Sequence, residues 1–176
     1  ITHLVNTTIL SVELGKGIGY NPSRLSELGL ASFLHDIGMQ EVFPIVYSKD
    51  KLSRSEYDRV KMHVVTGANL MKEIEGLPQV VVDVCYQHHE RMTGDGYRKM
   101  VGQTIHEYAQ IIGLSDTFEA ITHSRPYRKQ KSSQVAIKEL IETASDDFDR
   151  NALKVLVRRI GIYPVGTWVE LNTGEI

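Results

Sequence analysis

Two adjacent imidazoles, His88 and His89, close an apolar stretch that begins at Val80, and a Gly-rich turn through Gly94-Asp95-Gly96-Tyr97 follows at once. No other feature constrains the fold as much, because each ring that leaves water must find hydrogen-bond or metal partners. A single histidine is usually a satisfied core or surface residue. A pair, with a further His35-Asp36 pair upstream, points to a site built inside a core.

The 176 residues are enough for one domain with a real hydrophobic core and demand no second one, so 1–176 is read as a single domain. A net charge of −2 and a pI near 6.4 give no global field for DNA or an anionic membrane surface, so an anionic substrate must be held locally. The sole cysteine, Cys85, excludes an internal disulfide, suits a reducing compartment and reads as a small core residue. No stretch is long and apolar enough to span a bilayer and the start lacks a signal-peptide pattern, so the expected location is the cytoplasm, without membrane insertion. The chain starts mid-pattern at Ile1-Thr2-His3 without an initiator methionine, which reads as a domain excised from a longer protein.

Apolar spacing predicts a helix from Leu4 to Leu14, begun by His3 and broken by Gly15, Gly17 and Gly19. Asn21-Pro22-Ser23 caps a second helix that delivers His35 and Asp36 and stops near Gly38. Met39 to Lys51 reads as a loop, and Ser53 with Glu56 as a capping box opening one helix through Val60, His63 and Leu70. The bare Gly67, one turn after His63, leaves room for another element beside the imidazole. Pro78 starts the helix that leads into His88-His89, and Arg91 to Gly102 is a loop. Further helices are expected over Ile105–Ile121, about Ser133–Thr143 and Asp149–Ile160, with Ile162–Leu171 as a short extended tail that could pair as β strands. The fold class is therefore all-α, a helical bundle with a short C-terminal β segment.

Seven side chains, His3, His35, Asp36, His63, His88, His89 and Asp116, fall within or at the ends of five helical segments. Bundles build metal sites in this way, from side chains on facing helices. Imidazole with carboxylate and no thiolate favours iron, manganese or zinc in an open, reactive site. Seven donors exceed what one tetrahedral ion takes, whereas two divalent ions bridged by one carboxylate would use them and keep positions for water. Such a centre brings the pKa of a bridging water down to the neutral range and neutralises charge on an attacked phosphorus, so phosphodiester hydrolysis is the natural reaction.

His35-Asp36-Ile37-Gly38, His63 with Gly67, His88-His89-Glu90, Gly94-Asp95-Gly96-Tyr97, Asp116 and Arg125-Pro126-Tyr127-Arg128 stand in the order found in HD-GYP domains. From His3 to about Glu175 the chain resembles this branch of the HD metal-dependent phosphohydrolases. The resemblance implies an HD-type helical bundle with a two- or three-metal centre, often iron or manganese, that hydrolyses cyclic di-GMP to pGpG or GMP. It implies His35 and Asp36 as the catalytic pair, with His3, His35, Asp36 and Asp116 holding one ion. Asp36 then bridges to a second ion on His63, His88 and His89. Arg125, Arg128 and Tyr97 are the expected substrate contacts, the arginines on phosphate. Cyclic di-GMP or a related cyclic dinucleotide is the expected partner molecule, with an upstream regulatory module and with homodimer formation left open.

The departures from the family pattern are specific. Met39 stands where most members have a lysine that reaches the scissile phosphate, a task that could pass to Arg91 or Arg98. Arg98 replaces the proline of Gly-Tyr-Pro, and Gln110 a usual arginine. These leave rival readings open: a catalytically weak module that binds a cyclic dinucleotide or a protein, a hydrolase of another nucleotide, or di-iron redox chemistry. His106 and His123 read as solvated helix residues.

Overall fold

The computed structural model describes residues 1–47, 52–123 and 130–161. Its helices are α1 (Thr2–Ile18), α2 (Pro22–Leu34), α3 (Phe43–Tyr47), α4 (Arg54–Lys61), α5 (His63–Lys72), α6 (Gln79–Gln87), α7 (Glu107–Thr122), α8 (Ser133–Thr143) and α9 (Arg150–Ile160). Short 3-10 turns cover Ile37–Glu41 and Gly102–Thr104. No strand occurs among the described residues, so the all-α class holds there; the expected extended tail lies outside them.

Four helix starts follow from capping chemistry. The Asn21 carboxamide accepts from Arg24 N at 3.0 Å, Ser53 Oγ from Glu56 N at 3.3 Å, Ser132 Oγ from Val135 N at 3.3 Å and Asp149 Oδ1 from Ala152 N at 2.8 Å. Each cap is worth about 1 kcal/mol, because it satisfies an amide the helix cannot. The Ser53–Glu56 box is reciprocal, with Ser53 N donating to Glu56 Oε2 at 2.9 Å.

Three expectations about element boundaries need correction. α1 does not break at Gly15 or Gly17 but continues to Ile18 and ends at Gly19, whose φ of 99° is left-handed. The two interior glycines serve packing: a Cβ on Gly15 would come within 2.8 Å of Leu28 Cδ2 on α2, and one on Gly17 within 2.3 Å of Val155 Cγ1 on α9. Close helix approach here outweighs the glycine's cost of roughly 1 kcal/mol in helix propensity. The Met39–Lys51 segment contains the 3-10 turn and α3, in spite of Pro44. The helix opened by Ser53 is interrupted at Met62, so His63 starts α5 rather than sitting in mid-helix.

α7 is the axle of the bundle. Ile111, Ile112, Gly113, Leu114, Ser115 and Phe118 are all buried, which leaves no solvent-facing stripe in its middle. α1, α6, α8 and α9 pack on it, α1 also against α2, and α5 against α6. Leu14, Leu28, Val81, Val84, Leu140 and Leu156 complete the core, each worth roughly 1.5–3 kcal/mol of burial. The start of α1, the end of α2, the start of α5 and the end of α6 thereby meet beside the C-terminal half of α7. No helix among the described residues is long and apolar enough to cross a membrane.

Candidate metal centre

Two buried glycines let the 3-10 turn after Asp36 sit directly on α5. A Cβ on Gly38 would lie 2.0 Å from His63 O and 2.6 Å from Gly67 N, and one on Gly67 2.5 Å from Cys85 Sγ. The space expected at Gly67 is thus filled by Cys85 Sγ and by the backbone of Gly38, and Asp36 is held against the α5 and α6 histidines. Gly113 does the same for α7, where a Cβ would meet His88 O at 2.5 Å.

Three imidazoles are fixed in one way. His35 Nδ1 lies 2.6 Å from Ser32 O, His63 Nδ1 2.7 Å from Val60 O and His88 Nδ1 3.0 Å from Cys85 O. A carbonyl oxygen only accepts, so each Nδ1 carries a proton, and Nε2 of each ring is turned into the cluster. Metal-binding histidines are oriented by such outer hydrogen bonds.

The inward atoms suit cations. Asp36 Oδ1 is 3.2 Å from His63 Nε2 and 3.4 Å from His88 Nε2, and those two nitrogens are 3.3 Å apart. Donors sharing one divalent ion at about 2.1 Å stand about 3.0 to 3.4 Å from one another in tetrahedral or octahedral geometry. Two lone pairs aimed at each other across 3.3 Å repel unless a positive charge lies between them. His35 Nε2 and Asp36 Oδ1 are buried without hydrogen-bond partners, a cost a bound ion would remove. Asp36 divides its carboxylate: Oδ2 lies 3.8 Å from His35 Nε2 and 3.9 Å from His3 Nε2, while Oδ1 faces His63 and His88. His89 joins Asp36, His63 and His88 in one group with converging donors, and His3, His35 and Asp36 form another. Asp116 enters through His3 Nε2, 3.1 Å from its Oδ1. All seven sequence-predicted donors are therefore brought together.

The electrostatics agree with this arrangement. Burial opposes ionisation of Asp36, but the imidazoles of His35, His63 and His88 hold its carboxyl well below the usual range. For Asp116 burial is likewise outweighed, by the hydrogen bond with His3, which holds its carboxyl below the usual range. Burial lowers the pKa of His88 and His89, which keeps both rings neutral and ready to donate. Around His3 burial is overcome by Asp116 and Glu119, and its pKa is pushed up to about 10. Burial, reinforced by the charge of Asp36, pushes the Cys85 thiol up to about 12, and Sγ donates to His35 O at 3.2 Å, so this cysteine is structural, as expected.

Tyr97 covers the His89 side, with ring centroids 4.4 Å apart, and meets the exposed Tyr57 ring edge-on at 6.4 Å. Lys61 Nζ stands 4.7 Å from the Tyr57 centroid and 5.8 Å from that of Tyr97. Arg125 and Arg128 lie outside the described residues. Arg91 is committed elsewhere: its Nη1 donates to Glu90 O at 2.9 Å, its Nη2 to Thr117 Oγ1 at 3.3 Å, and its guanidinium covers Phe148. It holds the end of α6 to α7, which removes it as a substitute for the family lysine.

Two carboxylates carry more than the sequence reading gave them. Buried Glu90 accepts from Arg98 N at 2.7 Å and Met100 N at 2.8 Å, shaping the 91–100 loop. Glu119 meets His3 Nδ1 at 2.5 Å. Its signal was available: Asp116 and Glu119, one turn apart in an apolar helix, share a face. His106 is not a solvated bystander but the α7 N-cap, accepting from Tyr108 N at 3.1 Å. Half-exposed His123 also has partners, with Nδ1 3.3 Å from Glu119 Oε1.

Fold and site define a class: an all-helical bundle with a buried histidine–aspartate cluster suited to divalent cations. The chain matches the HD domain family over residues 3–152 and belongs to that family. It is 35% identical to the cyclic di-GMP phosphodiesterase PA4108 of Pseudomonas aeruginosa, over 99% of this chain and 42% of that protein. It is 31% identical to the cyclic di-GMP phosphodiesterase PdeB of Borreliella burgdorferi, over 100% of this chain and 47% of that one. The chain thus spans less than half the length of these curated relatives. Among solved structures, Bd1817, an HDG"Y"P protein from Bdellovibrio bacteriovorus, superposes with a TM-score of 0.75 at 19% identity, covering 90% of this chain and 51% of that one. The PgpH HD domain of L. monocytogenes in complex with cyclic-di-AMP gives 0.62 at 18%, covering 90% and 89%. These two likenesses show the fold.

Proposed function

We propose that this domain is a metal-dependent phosphodiesterase that hydrolyses cyclic di-GMP to pGpG or GMP. The carrying observation is the divided carboxylate of Asp36, one oxygen toward His63 and His88 and the other toward His3 and His35. That division suits two cations, one held by His3, His35, Asp36 and Asp116, the other by Asp36, His63, His88 and His89. Iron or manganese fits the donor set, with zinc as the alternative. Divalent ions bound there supply a Lewis acid for a phosphate oxygen and water acidified into the neutral range.

The chain's own groups do the rest. Backbone carbonyls fix the tautomers of His35, His63 and His88, so no reorganisation is needed when substrate arrives. Tyr97 and Tyr57 offer flat faces beside the cluster on which a purine can stack, and Lys61 places a cation at the same rim. Arg125 and Arg128 are assigned to the phosphates, on the sequence pattern Arg-Pro-Tyr-Arg. The identity between this chain and two cyclic di-GMP phosphodiesterases, over nearly its whole length, supports that choice of substrate.

Met39 at the family lysine position, with Arg91 tied to Glu90 O and Thr117, favours one rival: a domain that binds the dinucleotide and turns it over slowly or not at all. Metal-replete protein incubated with cyclic di-GMP, 3′3′-cGAMP, cyclic di-AMP and mononucleotides, with products separated chromatographically, tests both. Release of pGpG or GMP fastest from cyclic di-GMP is expected. Binding without product over hours would establish the rival, and a mononucleotide preference would overturn the substrate assignment.

A further inference from the structure

Four of the cluster's histidines have a visible partner on Nδ1, and one partner is unlike the rest. His35, His63 and His88 each give Nδ1–H to a carbonyl three residues earlier in their own segment. His3, on the first turn of α1, gives it to the Glu119 carboxylate on α7, at 2.5 Å. Glu119 is 4% exposed, one turn beyond Asp116. Its other oxygen accepts from Asn6 Nδ2 at 3.3 Å and lies 3.3 Å from His123 Nδ1, so two groups on either side hold the carboxylate itself in place.

We propose, resting on the two-cation reading above, that Glu119 is the positioning residue for His3 and sets the affinity of the cation shared with Asp116, leaving the other cation unaffected. A carbonyl fixes only ring orientation and tautomer. A carboxylate does both and makes the opposite nitrogen a stronger donor, and loss of such an outer partner typically costs about 10- to 100-fold in metal affinity. With Nδ1–H bound to Glu119, Nε2 of His3 is directed at Asp116 Oδ1, 3.1 Å away, and toward Asp36 Oδ2. No contact of Glu119 reaches His63, His88 or His89, so the effect is confined to one half of the cluster.

The test is titration of Mn(II) into metal-free wild type, Glu119→Ala and Glu119→Gln, followed by calorimetry and electron paramagnetic resonance, with circular dichroism melts as a folding control. Wild type should take up two ions. In Glu119→Ala one class of site should weaken about 10- to 100-fold while the other keeps wild-type affinity. Glu119→Gln, which retains an acceptor for His3 Nδ1–H, should recover most of the loss. Both classes unchanged in the alanine variant, both weakened together, or a glutamine variant no better than alanine would overturn the assignment. If the alanine variant fails to fold, the glutamine variant decides: a modest weakening of one class supports the role, and wild-type affinities or loss of both refute it. Wild-type protein that binds no cation would sink the two-cation reading itself, whereas two wild-type sites with unselective variants would sink only the role of Glu119.

Discussion

Gly38 and Gly67 meet backbone to backbone, so closely that a Cβ on Gly38 would stand 2.6 Å from Gly67 N and 2.0 Å from His63 O. The neighbours are main-chain atoms of a buried helix and cannot swing aside. Gly38→Ala should therefore cost about 2 to 3 kcal/mol, in the upper part of the overpacking range. For a chain of this size that lowers Tm by about 4 to 12 °C. Because the displaced turn carries Asp36, metal content should fall as well. A thermal melt with elemental analysis checks both, and an unchanged melt would contradict the contact.

His89→Ala and Arg125→Ala should separate metal from substrate. Loss of a direct ligand should weaken metal binding by more than the roughly 100-fold upper figure for an outer partner, and activity should fall with it. Arg125→Ala should keep its metal and raise KM. Full metal in His89→Ala, measured by elemental analysis, would contradict the ligand assignment.

Protonation gives a further check. With its pKa pushed up to about 10, His3 is charged at neutral pH in the metal-free protein, whereas His88 and His89 are shifted down and neutral. The raised pKa stabilises the metal-free fold fully below the ordinary histidine value near 6.5, and that contribution is lost as pH rises toward 10. Neutral burial of His88 and His89 acts oppositely, costing stability as pH falls below the same ordinary value. A metal ligand must be deprotonated, so loading at pH 7.5 should release about one proton from His3, in addition to any that metal-bound water gives up. Calorimetry in buffers of different ionisation enthalpy counts it. His3→Ala should lower the count by about one proton per chain.

Tyr97 covers His89 and faces Tyr57, so Tyr97→Ala should leave metal content unchanged and weaken cyclic di-GMP binding. Loss of one stacked base is worth about 1 to 3 kcal/mol, or roughly 5- to 150-fold in KM. Tyr97→Phe, which keeps the ring, should stay near wild type. Equal KM values for all three proteins would remove Tyr97 from the substrate contacts.

The sequence made the cluster legible because its donors are chemically conspicuous: paired imidazoles closing an apolar run and an acid inside an apolar helix have few bland explanations. Two capping residues were equally readable, since Asn21 and Ser53 act on amides three residues away. What failed was long-range. Gly15 and Gly17 look like helix breakers until Leu28 and Val155 are seen against them. Glu119 drew no assignment, because its partners His3 and Asn6 come from the far end of the chain. Arg91 looked free because the carbonyl and hydroxyl it binds, Glu90 O and Thr117 Oγ1, appear only once α6 and α7 are packed.

Metal content measured together with cyclic di-GMP turnover, on protein purified anaerobically, probes the central claim most directly. Two ions per chain are expected, with pGpG or GMP release that disappears on chelation and returns when iron or manganese is restored. Protein that hydrolyses the dinucleotide equally well when stripped of metal, or that retains no divalent ion under these conditions, would contradict the account.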